Sequence, residues 1–212
     1  MRGKKMQPLK MLVAAFVAGA VMAPAAMSAD ASSKTPEQLA KQTVEKVLDD
    51  MDGRREQLRN NPQQLKQLIE KDLVPVLDQR YMAQLTLGRY WRQASAEQRK
   101  AFQRTFRNLL IQNYGDALLK LKSGENLDYK PVRAPADADK VTFNAIYHTP
   151  KGRDIHLSLK LRQVDGQWKV YDASGENLSF VANYKEQFRS RIQKVGLDKF
   201  IQQMKSRYGT HE

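Results

Sequence analysis

The chain reads as an α+β protein, with helices packed on one face of a curved antiparallel sheet of about four strands. Three observations predict this. Capped apolar stripes at helical spacing run from Thr35 to about Leu121, strict alternation takes over between Leu127 and Val170, and helical spacing returns from Ser179 onwards. Such a wrap of helices on a sheet is either filled solid or encloses a cavity, and periodicity alone does not separate the two.

The N-terminus stands apart from the rest. MRGKKMQPLK carries four positive charges and no acid, and is followed by the apolar run MLVAAFVAGAVMAP and the small residues AAMSAD. That order is a secretory signal peptide, too short to span a bilayer comfortably and lacking a basic stop-transfer flank. Cleavage is expected near Ser28 or Ala29. Residues 1–29 are then the signal, 30–35 a disordered lead-in, 36–208 one domain and 209–212 a tail. No cysteine ends the apolar run, which excludes a lipoprotein anchor. The net charge of +13 falls to +9 as Arg2, Lys4, Lys5 and Lys10 leave with the signal. With no cysteine anywhere, thiolate metal sites and thiol catalysis are excluded, and an exported domain of this size buries an adequate core without disulfides.

Each element has its own signal. Thr35-Pro36-Glu37-Gln38 is a helix start with a capping box, and Leu39, Val44, Val47, Leu48 and Met51 are the stripe behind it, with Gly53 near its end. Asn61-Pro62-Gln63-Gln64 repeats the signal ahead of Leu65, Leu68 and Ile69. Pro75 disfavours helix at Val74, and Asp78 caps a short third helix with Tyr81, Met82 and Leu85 on its apolar side, closed by Gly88. Arg89-Tyr90-Trp91-Arg92 reads as a helical turn anchored by its rings.

Ser95-Ala96-Glu97-Gln98 opens a long helix to about Leu121. Its apolar face is Phe102, Phe106, Leu109, Leu110, Tyr114, Ala117, Leu118 and Leu121, with Arg104, Asn108 and Gln112 opposite. Rings and bases thus fall on different faces, whereas a single-strand nucleic-acid platform needs them exposed together. No nucleic-acid partner is expected.

Beyond Ser123-Gly124 come a weak strand at Leu127–Val132 and three stronger ones. Val141, Phe143, Ala145 and Tyr147 alternate with polar or smaller neighbours, as do Ile155, Leu157, Leu159 and Leu161, and then Trp168 and Val170. Thr149-Pro150-Lys151-Gly152 and Asp165-Gly166 are the turns. Ser179 caps a helix striped by Val181, Tyr184, Phe188, Ile192 and Val195 and stopped by Gly196, and a last helix from Asp198 buries Phe200, Ile201 and Met204.

The chemistry that would mark an enzyme is missing. His148, His156 and His211 are not in metal-ligand spacing, no serine lies in a nucleophile elbow, and no glycine-rich phosphate loop occurs. A pocket enzyme with Asp172 as general base remains an alternative, because Asp172 shares a strand phase with Trp168 and Val170. No second acid or oxyanion donor accompanies it, and a bracing role through Ser174 and Gly175 is the plainer reading. A plain adaptor with a solid core is the other alternative.

Asn61-Pro62, Val74-Pro75-Val76-Leu77-Asp78, Leu87-Gly88-Arg89-Tyr90-Trp91-Arg92-Gln93-Ala94-Ser95, Gln98-Arg99, Phe102, Phe106, Tyr114 and Trp168-Lys169-Val170-Tyr171-Asp172 together resemble the MlaC, or toluene-tolerance, family of periplasmic phospholipid-binding proteins. The resemblance covers nearly all of the chain after the signal. It implies a nuclear transport factor two-like fold around an apolar lipid pocket, and a non-enzymatic periplasmic carrier that maintains outer-membrane lipid asymmetry. The implied partners are an inner-membrane MCE-domain protein of an ABC transporter and an outer-membrane lipoprotein–porin complex. Bound phospholipid is cargo, and neither cofactor nor metal is implied. One departure is visible, Gly175-Glu176-Asn177-Leu178-Ser179, where the family has Glu-Gly before an aliphatic residue and serine.

The expected lining is Leu77, Tyr81, Met82 and Leu85 from the short helix, Phe106, Leu110 and Tyr114 from the long one, and Phe143, Leu157, Leu159 and Val170 from the sheet. Arg89, Arg92, Arg99 and Arg104 are the expected docking bases for acidic partner surfaces or lipid phosphates.

Overall fold

Helix caps written in the sequence are made in the structure. In the computed structural model, which describes residues 34–121, 127–135, 137–149 and 152–209, α1 (Pro36–Met51) starts at a closed capping box. Thr35 Oγ1 accepts from the Gln38 N–H at 3.2 Å, and Gln38 Oε1 accepts from the Thr35 N–H at 3.0 Å. The expected signal peptide, most of the lead-in and the turn centre Pro150-Lys151 lie outside the described residues.

A short helix not foreseen from the sequence, α2 (Arg55–Asn60), follows; it has no side-chain cap and buries only Leu58. Asn61 then caps α3 (Pro62–Asp72). A 3-10 turn occupies Val74–Val76 with Pro75 inside it, so the proline tightens the chain here rather than extending it. Asp78 Oδ1 accepts from the Tyr81 N–H at 2.9 Å and starts α4 (Gln79–Leu87). The ring-anchored turn is α5 (Tyr90–Gln93), with Tyr90 and Trp91 buried. Ser95 and Gln98 form the second capping box, ahead of α6 (Ala96–Leu118), which ends three residues sooner than its apolar pattern.

Five strands make one antiparallel meander in chain order: β1 (Leu127–Lys130), β2 (Lys140–His148), β3 (Asp154–Val164), β4 (Gln167–Gly175) and β5 (Leu178–Ser179). The fifth is two residues long, too short to register as alternation. Asp165 and Gly166 both take positive φ, as a two-residue hairpin turn needs. The same holds at the family departure, where Glu176 and Asn177 adopt φ of 50° and 63°, so the turn is kept without glycine. Ser179 caps α7 (Phe180–Val195), and Gly196 separates it from α8 (Leu197–Tyr208).

Three apolar cores hold the described residues as one unit. The largest joins α4 to α8 around Phe102, Phe106, Phe188 and Phe200, whose rings meet edge-on or tilted at 5.0–6.2 Å, apart from the stacked Phe102–Phe106 pair. A second ties α1, α2 and α3 to the end of α6, and the third seats Ala40 of α1 on Val141, Phe143, Leu161 and Val170 of the sheet.

One face of α6 departs from the expectation. Asn108, expected opposite the apolar stripe and so in solvent, is only 5% exposed, and Thr105 is fully buried. The cause is α8, which packs on that face; Asn108 Nδ2 donates to the Tyr208 carbonyl at 2.7 Å.

Gly88, where α4 turns into α5, sits at φ 55° and ψ −126°, backbone that side chains with a Cβ avoid. Gly88→Ala is therefore expected to lose about 1–3 kcal/mol of stability, read as a lower urea midpoint with an unchanged slope. An unchanged midpoint would show that this corner carries no strain.

Candidate functional site

Two cations of β3 anchor the helical half of the molecule. Arg162 Nε donates to Asp78 Oδ2 at 2.7 Å, while Asp78 also caps α4 and its own N–H donates to the Val170 carbonyl at 2.8 Å. Two residues back along the strand, Lys160 Nζ donates to Asp172 Oδ2 at 3.2 Å. Asp172 is 3% exposed and also accepts from Ser179 Oγ at 2.6 Å and from the Val181 N–H, in the first turn of α7, at 3.1 Å. A carboxylate at a helix N-terminus meets the positive end of the helix dipole, so each of these acids is held from two sides.

Asp172 does not share a face with Val170, contrary to the strand phase read from the sequence. Leu161 pairs with Val170 but Lys160 pairs with Asp172, so Tyr171 is an extra residue, a β-bulge that flips the phase behind it. With both carboxylate oxygens engaged by three donors and no partner acid among them, Asp172 is a brace.

The sheet therefore has a polar and an apolar face. Lys160, Arg162, Lys140 and Asp172 stand on the first; Val141, Phe143, Ala145, Tyr147, Leu157, Leu159, Leu161 and Val170 stand on the second. α1 covers part of the apolar face, and Tyr147 Oη reaches the Lys120 carbonyl just past α6. The principal neighbours of α6 are α3, α4 and α8, and no strand is among them.

The residues expected to line a pocket divide by burial. Met82, Phe106, Phe143 and Val170 are sealed into cores. Leu85, Leu110 and Tyr114 are half-buried against the helical core and Leu159 against the sheet core, Leu77 touches both, and Leu157 is half-buried. Leu77 sits between the first and third cores, bridged to Val170 at the edge of β4. The Tyr81 ring lies under Arg162 at 4.1 Å and against Tyr171 at 5.3 Å, on the polar face, apart from Leu157 and Leu159. A residue missed in the sequence, half-buried Phe180, stacks on Tyr114 at 4.3 Å. Nearby, burial pushes the Tyr184 hydroxyl up to about 12, so it stays neutral while accepting from Asn113 Nδ2 at 2.8 Å.

The four docking arginines differ in how they are engaged. Arg99 is spent internally: Nε donates to the Trp91 carbonyl at 2.9 Å, with the guanidinium over the Trp91 ring. Arg92 and Arg104 are exposed. Arg89, bonded to Tyr90 Oη, borders a hollow of about 310 Å³ together with Lys185 and Arg189, two bases of α7 that the sequence pattern did not single out. His148 pairs with Asp154 at 2.7 Å on the surface. Among the described residues no cluster of three or more His, Cys, Asp or Glu is placed to hold a metal, and no helix is long and apolar enough to cross a membrane.

This is an α+β domain whose helices α4 and α7 are tied by ion pairs and helix caps to β3 and β4 of a meander sheet. The same fold is seen in a phospholipid-binding protein from Ralstonia solanacearum, solved in complex with a phospholipid: 30% identity, TM-score 0.72, covering 81% of this chain and 99% of that one. The chain is 27% identical to the intermembrane phospholipid transport system binding protein MlaC of Haemophilus influenzae and 26% identical to the toluene tolerance protein ttg2D of Pseudomonas putida, in each case over 80% of both chains. A family profile described as MlaC protein matches residues 41–206. The chain belongs to the MlaC family.

Asp172→Ala is expected to cost about 2–4 kcal/mol, since it strands the buried Val181 N–H, removes the partner of Lys160 and frees the start of α7. Equilibrium unfolding checks this; a loss under 0.5 kcal/mol would return Asp172 to the pool of functional acids.

Proposed function

We propose that this chain is a phospholipid carrier whose acyl chains lodge between Leu110, Tyr114 and Phe180 on the helical side and Leu157 and Leu159 on the sheet, with Leu77 and Leu85 at one end. The observation that carries this reading is the half-burial of these apolar side chains on elements that do not pack face to face, within a fold shared with a protein solved with phospholipid bound. Such surface costs free energy in water, and a chain that lies along it removes the cost.

The magnitudes favour a closed carrier. Two acyl chains hold about 30 methylenes, which at ~0.8 kcal/mol per CH₂ means on the order of 20 kcal/mol against free diffusion. The polar head stays at the mouth, where water and bases meet it. No catalytic role is assigned, because Asp172 is engaged as a brace and His148 and His156 lie at the surface. On this reading the chain is exported to the periplasm by its first 29 residues. It passes lipid between an outer-membrane lipoprotein–porin complex and the MCE-domain protein of an inner-membrane ABC transporter. Arg89, Arg92 and Arg104, with Lys185 and Arg189, are available to acidic partner surfaces; Arg99 is not.

Filling the space tests the assignment. Leu110→Trp and Leu159→Trp, each placing a larger ring in the proposed chamber, should remove most of the phospholipid that co-purifies with the protein while leaving a cooperative thermal transition. Phosphorus assay of a solvent extract reads the loss. Undiminished lipid in both folded variants would place the cargo elsewhere.

A further inference from the structure

On the polar face, at the β1 edge of the sheet, a cleft of about 640 Å³ opens between β2 and the segment that leaves β1. Lys130, Arg133, Lys140, Thr142, Asn144 and Tyr171 line it, and no acidic side chain does. Lys130 is held by Asp128, whereas Arg133 and Lys140 have no ion-pair partner among the described residues. Lys130, Lys140, Thr142 and Asn144 share one face, because Lys130 pairs with Asn144 and the even-numbered residues of β2 align. The apolar interior described above belongs to the opposite face.

The backbone of this edge is open. The Gln163 N–H donates to the Asp139 carbonyl at 2.9 Å, which fixes the phase of the β2–β3 ladder: odd residues of β2 turn their N–H and C=O towards β3, even residues towards β1. Asn144 is opposed by Lys130, the last residue of β1. Pro131, which has no N–H to donate, ends that strand, and the chain departs. Thr142 is thus left with its N–H and C=O pointing into the cleft and no strand opposite.

We propose that this cleft takes an extended acidic segment of a partner protein, which pairs with β2 at Thr142 and sets its carboxylates against Arg133 and Lys140. A phosphate group would need the bases alone. The open backbone edge running between them is what favours a peptide, which uses main-chain bonds for affinity and the flanking charges for selection. Six extended residues span about 20 Å, enough to run the length of the edge.

The test uses the ¹⁵N-labelled protein and the hexapeptide acetyl-(Glu-Val)₃-amide, followed by amide shifts. Saturable shifts centred on residues 140–144 are expected. They should weaken at least about tenfold when alternate peptide amides are N-methylated, which removes main-chain bonds but no charge, and about tenfold in Lys140→Glu. Co-purifying phospholipid in Lys140→Glu should be unchanged, since the cleft is apart from the interior. No shifts at this edge, or equal binding of the N-methylated peptide, would overturn the proposal. So would shifts at residues 140–144 from phosphatidylglycerol vesicles but not from the peptide, which would make the cleft a membrane contact.

Discussion

Two carboxylates carry the architecture. Asp78 and Asp172 each cap or brace the first turn of a helix and each pair with a base of β3, two residues apart on one face. Through them α4 and α7 are fixed to the edge of the sheet near β4, and α6 and α8 are packed in turn on those helices. These anchors stand on the polar face of the sheet, which leaves the opposite face, with Leu157 and Leu159, outside the contacts that fix α4 and α7.

That arrangement resolves a conflict any lipid carrier faces. The interior must be apolar enough to offset the loss of membrane around two acyl chains, yet it must not collapse into a filled core when empty. Here the collapse is taken up elsewhere. Aromatic rings at Phe102, Phe106, Phe188 and Phe200 form a dense helical core, and Phe143 with Val170 and Ala40 forms a second on the sheet. Stability resides in those cores, and on the proposed reading the half-buried side chains at their margins serve the guest. Binding of this strength also makes unaided release slow, so a carrier of this design depends on partners that open it or offer a competing apolar path.

How much of this the sequence disclosed depends on the range of the interactions involved. Caps at Thr35, Asn61, Asp78, Ser95 and Ser179 are local, and each was legible as a spacing of a few residues. The period change near residue 127 was equally plain. By contrast, α2 has no capping side chain and one buried residue, so it left no signal. The burial of Asn108 comes from a helix about 100 residues further on, and the bulge at Tyr171 appears only when β4 is laid against β3. That bulge puts Asp172 on the opposite face from Val170, and Arg162 holds Tyr81 on the polar face, neither of which a local pattern shows. Composition identified the apolar residues correctly but was blind to which were sealed in a core and which were left half-open, because that distinction is made by packing between distant elements.

The claim on which the rest depends is that the interior holds phospholipid. Native mass spectrometry of the chain, exported to the periplasm and purified without detergent, addresses it directly. The account predicts a mass excess of one or two phospholipid molecules that disappears on solvent extraction. A bare polypeptide mass, from folded protein never exposed to detergent, would contradict it and would make Leu110, Tyr114, Leu157 and Leu159 ordinary core.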